Sequence, residues 1–78
     1  MNEQVKEVLF LFNQAKPIPG KVIIISDHRK CDFCQASAII DGKTNNGIWA
    51  NMCLAHYLKH GIGIGIGKGQ VIIWKSSV

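Results

Sequence analysis

One small α+β domain is the fold class this sequence predicts, and three observations carry the prediction. A stretch with apolar residues at helical spacing opens the chain. β-Branched runs follow, separated by turn residues. Every cysteine falls in one of two short pairs, Cys31/Cys34 and Cys53/His56. The 78 residues leave no room for a second domain. A chain this short buries a small share of its surface, so a disulfide, a metal or a partner chain usually supplements the core. The hydrophobic fraction of 47% argues against disorder.

The elements can be placed in order. Residues 2–15 read as a helix, with Val5, Val8, Leu9 and Phe12 at i, i+3, i+4 and i+7, and with Glu3, Lys6, Glu7 and Asn13 on the other face. Phe10 and Leu11 widen the stripe, which predicts a deeply packed helix or one shared with a second chain. Pro17 ends it, and Pro17-Ile18-Pro19-Gly20 is a turn that completes an N-terminal unit, residues 1–20. Lys21 to Ser26 reads as a buried strand. Ala36 to Asp41 and Ile48 to Ala50 form a hairpin around a turn region of Gly42 and Asn45-Asn46-Gly47. Asn51 is a good N-cap for a helix over Met52 to His60, which stops at Gly61 in the C′ position. Residues 21–61 thus hold a strand, the two ligand pairs, the hairpin and a helix. The tail, residues 62–78, alternates Gly and Ile with the strand period and continues through Gln70 to Lys75 as a strand. Its bare glycine face would let another element approach closely.

The chemistry lies in the two pairs. Cys31-x2-Cys34 and, eighteen residues on, Cys53-x2-His56 have the spacing of ligands for a tetrahedral Zn2+. Cys53 and His56, three apart on a helix, share a face and can point at one ion. A Cys3His set fills the shell and leaves no open position, so the zinc is structural. His28 and His60 lie near the ligands in sequence and are alternatives to His56. A redox role for Cys31 and Cys34 would need a βαβ context that is not present.

Knuckle, hairpin, then a helix supplying the second pair is the order of a zinc-stabilised treble clef, covering roughly Arg29 to Gly61. Within that class the chain resembles small treble-clef zinc-finger proteins of bacteriophages and related bacterial elements. Cys31, Cys34, Asp41-Gly42, Gly47, Trp49-Ala50-Asn51-Met52-Cys53 and Gly67-Lys68-Gly69-Gln70 carry the likeness. The resemblance implies a zinc-stabilised fold and a phage setting, and little about activity.

A treble-clef nuclease is the least favoured alternative, and a phosphate loop fails. A treble-clef nuclease needs a histidine in the hairpin, and Ala36 to Ala50 has none. The glycine run is no phosphate loop, because the spacing before Gly67-Lys68 puts Ile62 where glycine is required and Gly69 where Ser or Thr is required. The expected role is therefore that of a non-catalytic module, with two classes of partner. A host or phage protein, modulated by binding, would meet the aliphatic surplus, and a homodimer could form through the N-terminal helix or the C-terminal strand. Nucleic acid, DNA or RNA, would meet Arg29, Lys30, Lys43, Asn45, Asn46, Lys59, Lys68 and Gln70. The net charge of +4 falls to about +3 once three thiolates and a divalent ion are counted, which permits nucleic-acid affinity without demanding it. Trp49 and Tyr57 could stack on bases, although both lie where a small fold needs core. The N-terminus is neither signal peptide nor membrane span, and an odd number of cysteines absorbed by zinc suits a reducing cytoplasm, that of the host for a phage protein.

Overall fold

The computed structural model describes residues 3–75, so residue 2 of the expected helix and residues 76–78 of the expected tail lie outside it. The elements run α1 (Glu3–Gln14), β1 (Val22–Ile25), β2 (Ile40–Lys43), β3 (Trp49–Met52), α2 (Leu54–His60) and β4 (Gly69–Trp74). The strands form one mixed sheet in the order β1-β4-β2-β3. β4 runs parallel to β1, with Val22 opposite Val71, and antiparallel to β2, with Ile40 opposite Val71. β2 and β3 form a hairpin, with Ile40 opposite Met52. Its first arm begins at Ile40 and not at Ala36, and it takes in Gly42, expected in the turn, which pairs with Ala50.

α1 buries Val8 and Leu11. The apolar stripe is therefore centred one position away from the expected one, and Leu9 and Phe12 flank it while Phe10 is 63% exposed. Ala15 leaves the helix in the left-handed region at φ 55, before Pro17 is reached. The turn into β1 then closes with the Lys21 N–H donating to Ile18 O. Pro19 and Gly20 occupy its centre, and Gly20 has φ 77. That is the type II pattern, in which only a residue free to take positive φ fits the third position.

The core lies where α1 and α2 meet the sheet: Val8, Leu11, Val22, Ile40, Ala50, Met52, Tyr57, Ile64 and Val71 pack together. Tyr57 is fully buried, and its hydroxyl has no hydrogen-bond partner among the described residues. Burial, reinforced by the Glu7 charge, pushes its pKa up, so the ring stays neutral in the core. Trp49, expected inside, is half exposed on β3.

Three expectations need correction. Asn51 does not cap α2. Pairing of β3 with β2 continues to Met52, which holds Asn51 in the sheet and passes the N-cap position to Cys53. Gly61 does follow α2, but at φ −75, so it is not there for a left-handed turn. It is there for space, since a Cβ would fall 2.2 Å from the Tyr57 ring. The Gly-Ile segment is not a strand either. Gly63 and Gly65 both have φ 141, and this breaks the two-residue alternation, leaving Ile64 buried and Ile66 in solvent. The expected close approach does occur, at the sheet: a Cβ on Gly69 would lie 3.0 Å from both Gly42 Cα and Gly63 O.

The last strand also lies in the middle of the sheet, between β1 and β2. Gln70 to Lys75 is thus no edge for a partner strand, and the homodimer expected through it has no open ladder to use.

Gly61→Ala is expected to lower stability by about 1–3 kcal/mol, because the fully buried Tyr57 ring has nowhere to move. Tyr57→Phe, which removes only an unpartnered hydroxyl, should cost less than about 1 kcal/mol. Urea denaturation of the two variants checks the contrast.

Candidate metal centre

Residues 29–38 form a tight loop that delivers the first pair. The Cys31 N–H donates to Ala36 O at 2.7 Å, and the Ala38 N–H donates to Arg29 O at 2.9 Å. The second pair comes from the start of α2, where Cys53 is the N-cap and His56 sits one turn on. Two tethers bring the pairs together. Asp32, between the first two cysteines, accepts the Asn51 N–H on its carboxylate at 2.7 Å, and its own N–H donates to Asn51 O at 2.8 Å. Arg29 reaches across to Asp41 and Asn51 at 3.4 and 3.5 Å.

The donor atoms of Cys31, Cys34, Cys53 and His56 consequently lie within 4.8 Å of one another. Cys34 and Cys53 Sγ are 3.8 Å apart, and His56 Nδ1 is 3.6 Å from Cys31 Sγ and 3.3 Å from Cys53 Sγ. With metal–sulfur bonds of about 2.3 Å and metal–nitrogen bonds of about 2.0–2.1 Å, a tetrahedron has S–S edges of about 3.8 Å and S–N edges of about 3.6 Å. These three spacings are close to that figure, and the remaining pairs lie within 4.8 Å. They are far too long for a disulfide, whose sulfurs lie about 2.05 Å apart, and all three cysteines are free. The cluster is a compatible metal site.

Its electrostatics favour a bound cation. Burial opposes ionisation of Cys31, but backbone donors from Cys53, Phe33 and Cys34 outweigh it and bring the thiol pKa down. For Cys34 the Ala36 N–H favours the thiolate, yet burial and the neighbouring thiols win and push its pKa up. Three sulfurs this close cannot all ionise cheaply without a positive charge between them. A divalent ion supplies it, and the N–H donors, such as Phe33 N–H to Cys31 Sγ at 3.4 Å, stabilise the resulting thiolates.

The alternative histidines lie outside this donor cluster. His28 Nε2 lies 2.7 Å from Ser37 Oγ, and the His28 ring meets Trp74 edge-on. His60 is stacked near Phe33, with ring centroids 4.7 Å apart.

The expected partner contacts are dispersed. Arg29 is committed to Asp41 in the one ion pair among the described residues. Gln70 is half-buried in β4 opposite Asp41, and Lys43 is half-buried in β2 opposite Trp49. Lys30, Lys59 and Lys68 are exposed. Asn45 and Asn46 share the hairpin tip, where the Asn46 amide oxygen takes the Thr44 hydroxyl and lies 3.4 Å from the Ile48 N–H. Phe33 was absent from the expected contacts. It sits between two ligands in a loop too tight to bury it, and it joins Thr44, Ile48 and His60 around a cleft. Among the described residues no helix is long and apolar enough to cross a membrane.

No protein-family model matches this chain, and neither a curated protein nor a solved structure is detectably similar to it.

Metal content of purified variants tests the ligand set. Cys53→Ser and His56→Ala should fall well below one ion per chain, whereas His28→Ala and His60→Ala should retain one. Elemental analysis by mass spectrometry reads the difference.

Proposed function

We propose that this chain is a non-catalytic zinc-binding module of treble-clef type, and that its metal lobe binds nucleic acid. Three soft thiolates and an imidazole suit Zn2+, and the clustering of these four donors within 4.8 Å is the observation that carries the metal assignment. Four protein ligands fill the shell, so the ion has no position for an activated water and acts as a staple. The order of loop, hairpin and helix around the site supports the treble-clef reading. A phage origin rests on the sequence likeness alone, and a cytoplasmic setting on the need to keep three thiols reduced.

Charge distribution supports nucleic acid as the partner. Every acidic residue lies at or before Asp41, and residues 42–78 hold Lys43, Lys59, Lys68 and Lys75 with no Asp or Glu. This half includes the hairpin tip and α2, the elements next to the metal. None of those lysines is in an ion pair among the described residues. A protein partner is the second reading, favoured by Phe10 on the outer side of α1. Much of the aliphatic surplus behind that reading is internal, however: Ile64, Val71 and Ile72 are buried.

Zinc-loaded protein should bind a labelled single-stranded decamer with an affinity that falls about 20-fold between 50 and 200 mM salt, the dependence for about three neutralised phosphates. Fluorescence anisotropy measures it. Absence of binding at low salt, or binding indifferent to salt, would contradict the reading.

A further inference from the structure

The cleft at the hairpin tip has a volume of about 170 Å³ and is bounded by Phe33, Thr44, Asn45, Asn46, Ile48 and His60. Its most distinctive wall is aromatic. The Phe33 ring lies 4.7 Å from His60 and 5.4 Å from His56, inclined by 31° and 26°. His56 and His60 are themselves parallel to within 6°. Although flanked by these rings, Phe33 is 46% exposed, and Ile48 across the cleft is 65% exposed. A small domain gains nothing in stability from leaving two large apolar side chains in water around a hollow.

The wall is also rigid. Phe33 N–H donates to Cys31 Sγ, Asp32 is pinned to Asn51, and His56 is a metal donor. The ring is thus positioned by the metal centre itself, without a long flexible tether. Polar groups complete the cleft. Asn46 is held by Thr44 and Ile48, while the Asn45 side chain makes no hydrogen bond among the described residues. Its backbone is fixed by donation to His60 O at 2.7 Å.

A flat apolar face beside an unpaired amide suits a planar ring whose edge carries donors and acceptors. Charge narrows the choice. Lys59 lies next to the His56–His60 side of α2, whereas Lys43 alternates to the other face of β2 from Thr44. Asp32, beside Phe33 in sequence, keeps its charge but is turned to the Asn51 backbone N–H, and Asp41 is paired with Arg29. Exposed Lys59, on the same helix as His56 and His60, matches a phosphate beside the ring, which an aromatic peptide side chain would not offer.

We propose that this cleft seats one unpaired base of a single-stranded nucleic acid, stacked on Phe33 with its edge at the Asn45 amide. Stacking requires a base free of its helix, so duplex is excluded from the cleft and can meet only the lysines. This inference rests on the nucleic-acid reading above and adds the base site to it.

The test compares fluorescein-labelled dT10 and rU10 with an abasic decamer of equal charge, all on zinc-loaded protein. The base-bearing strands should bind at least about fivefold more tightly than the abasic one. Phe33→Ala should remove that advantage, with a loss of about 5- to 100-fold on dT10 or rU10, and leave abasic binding unchanged. Phe33→Trp should preserve it. Metal content reports whether Phe33→Ala still folds, and the abasic comparison needs no variant at all. Whichever of dT10 and rU10 binds more tightly identifies the strand. Equal affinity for abasic and base-bearing strands would overturn the base site while leaving an electrostatic nucleic-acid binder. No binding of any strand would overturn both readings, and capture of an aromatic peptide by the same cleft instead would point to a protein partner.

Discussion

The convergence of Cys31, Cys34, Cys53 and His56 is the constraint on which the rest of this structure depends. The loop at residues 29–38 has little regular structure of its own, and its two ends are joined by only a few backbone hydrogen bonds. Asp32 and Arg29 hold it against β3, but those are polar contacts at the surface, worth little by themselves. Within that frame three thiols and an imidazole crowd together, and burial and the neighbouring thiols oppose ionisation of Cys34. A metal turns the same crowding into four short bonds. In a chain of this size that energy is comparable with what the core can supply.

The sheet sets where the metal lobe sits. β1 and β4 are the outermost strands in sequence yet they pair in parallel, Val22 with Val71, so the chain must close on itself before either strand is buried. The metal loop, the hairpin and α2 all lie between these two strands in sequence. Close approach of Gly42 and Gly69 lets β4 enter beside β2, and Gly61 lets the chain turn past Tyr57 to reach it. Because β4 is internal, the molecule's available surfaces are α1, the edge strands and the hairpin tip next to the metal. The tip differs from the others in its chemistry, with rings and amides together and the exposed Lys59 on the adjoining helix.

Local features of the chain were legible in its sequence. The ligand pairs, the helix–turn–strand order, the Pro19-Gly20 turn region and the β2–β3 hairpin follow from spacing and turn chemistry, which depend on neighbours a few residues away. Long-range placement was not legible. Nothing in Gln70 to Lys75 shows that it lies between β1 and β2, since an apolar strand has the same composition in the middle of a sheet as in any buried position. Asn51 has the chemistry of a cap and lost that role to strand pairing, a tertiary preference. The Gly-Ile alternation imitates a strand because period two is all the pattern contains, whereas positive φ at Gly63 and Gly65 is a backbone property that leaves no periodic trace. Phe33 could have been anticipated, because an aromatic residue between two ligands of one ion has little room to turn inward.

X-ray absorption at the zinc edge on the protein purified under reducing conditions bears most directly on this account. Three sulfur scatterers at about 2.3 Å and one nitrogen at about 2.0–2.1 Å, with the outer-shell pattern of an imidazole, are the predicted result. A first shell dominated by oxygen or nitrogen, or one with two sulfurs and a water, would contradict the closed Cys3His staple on which the fold and its binding surface are argued to rest.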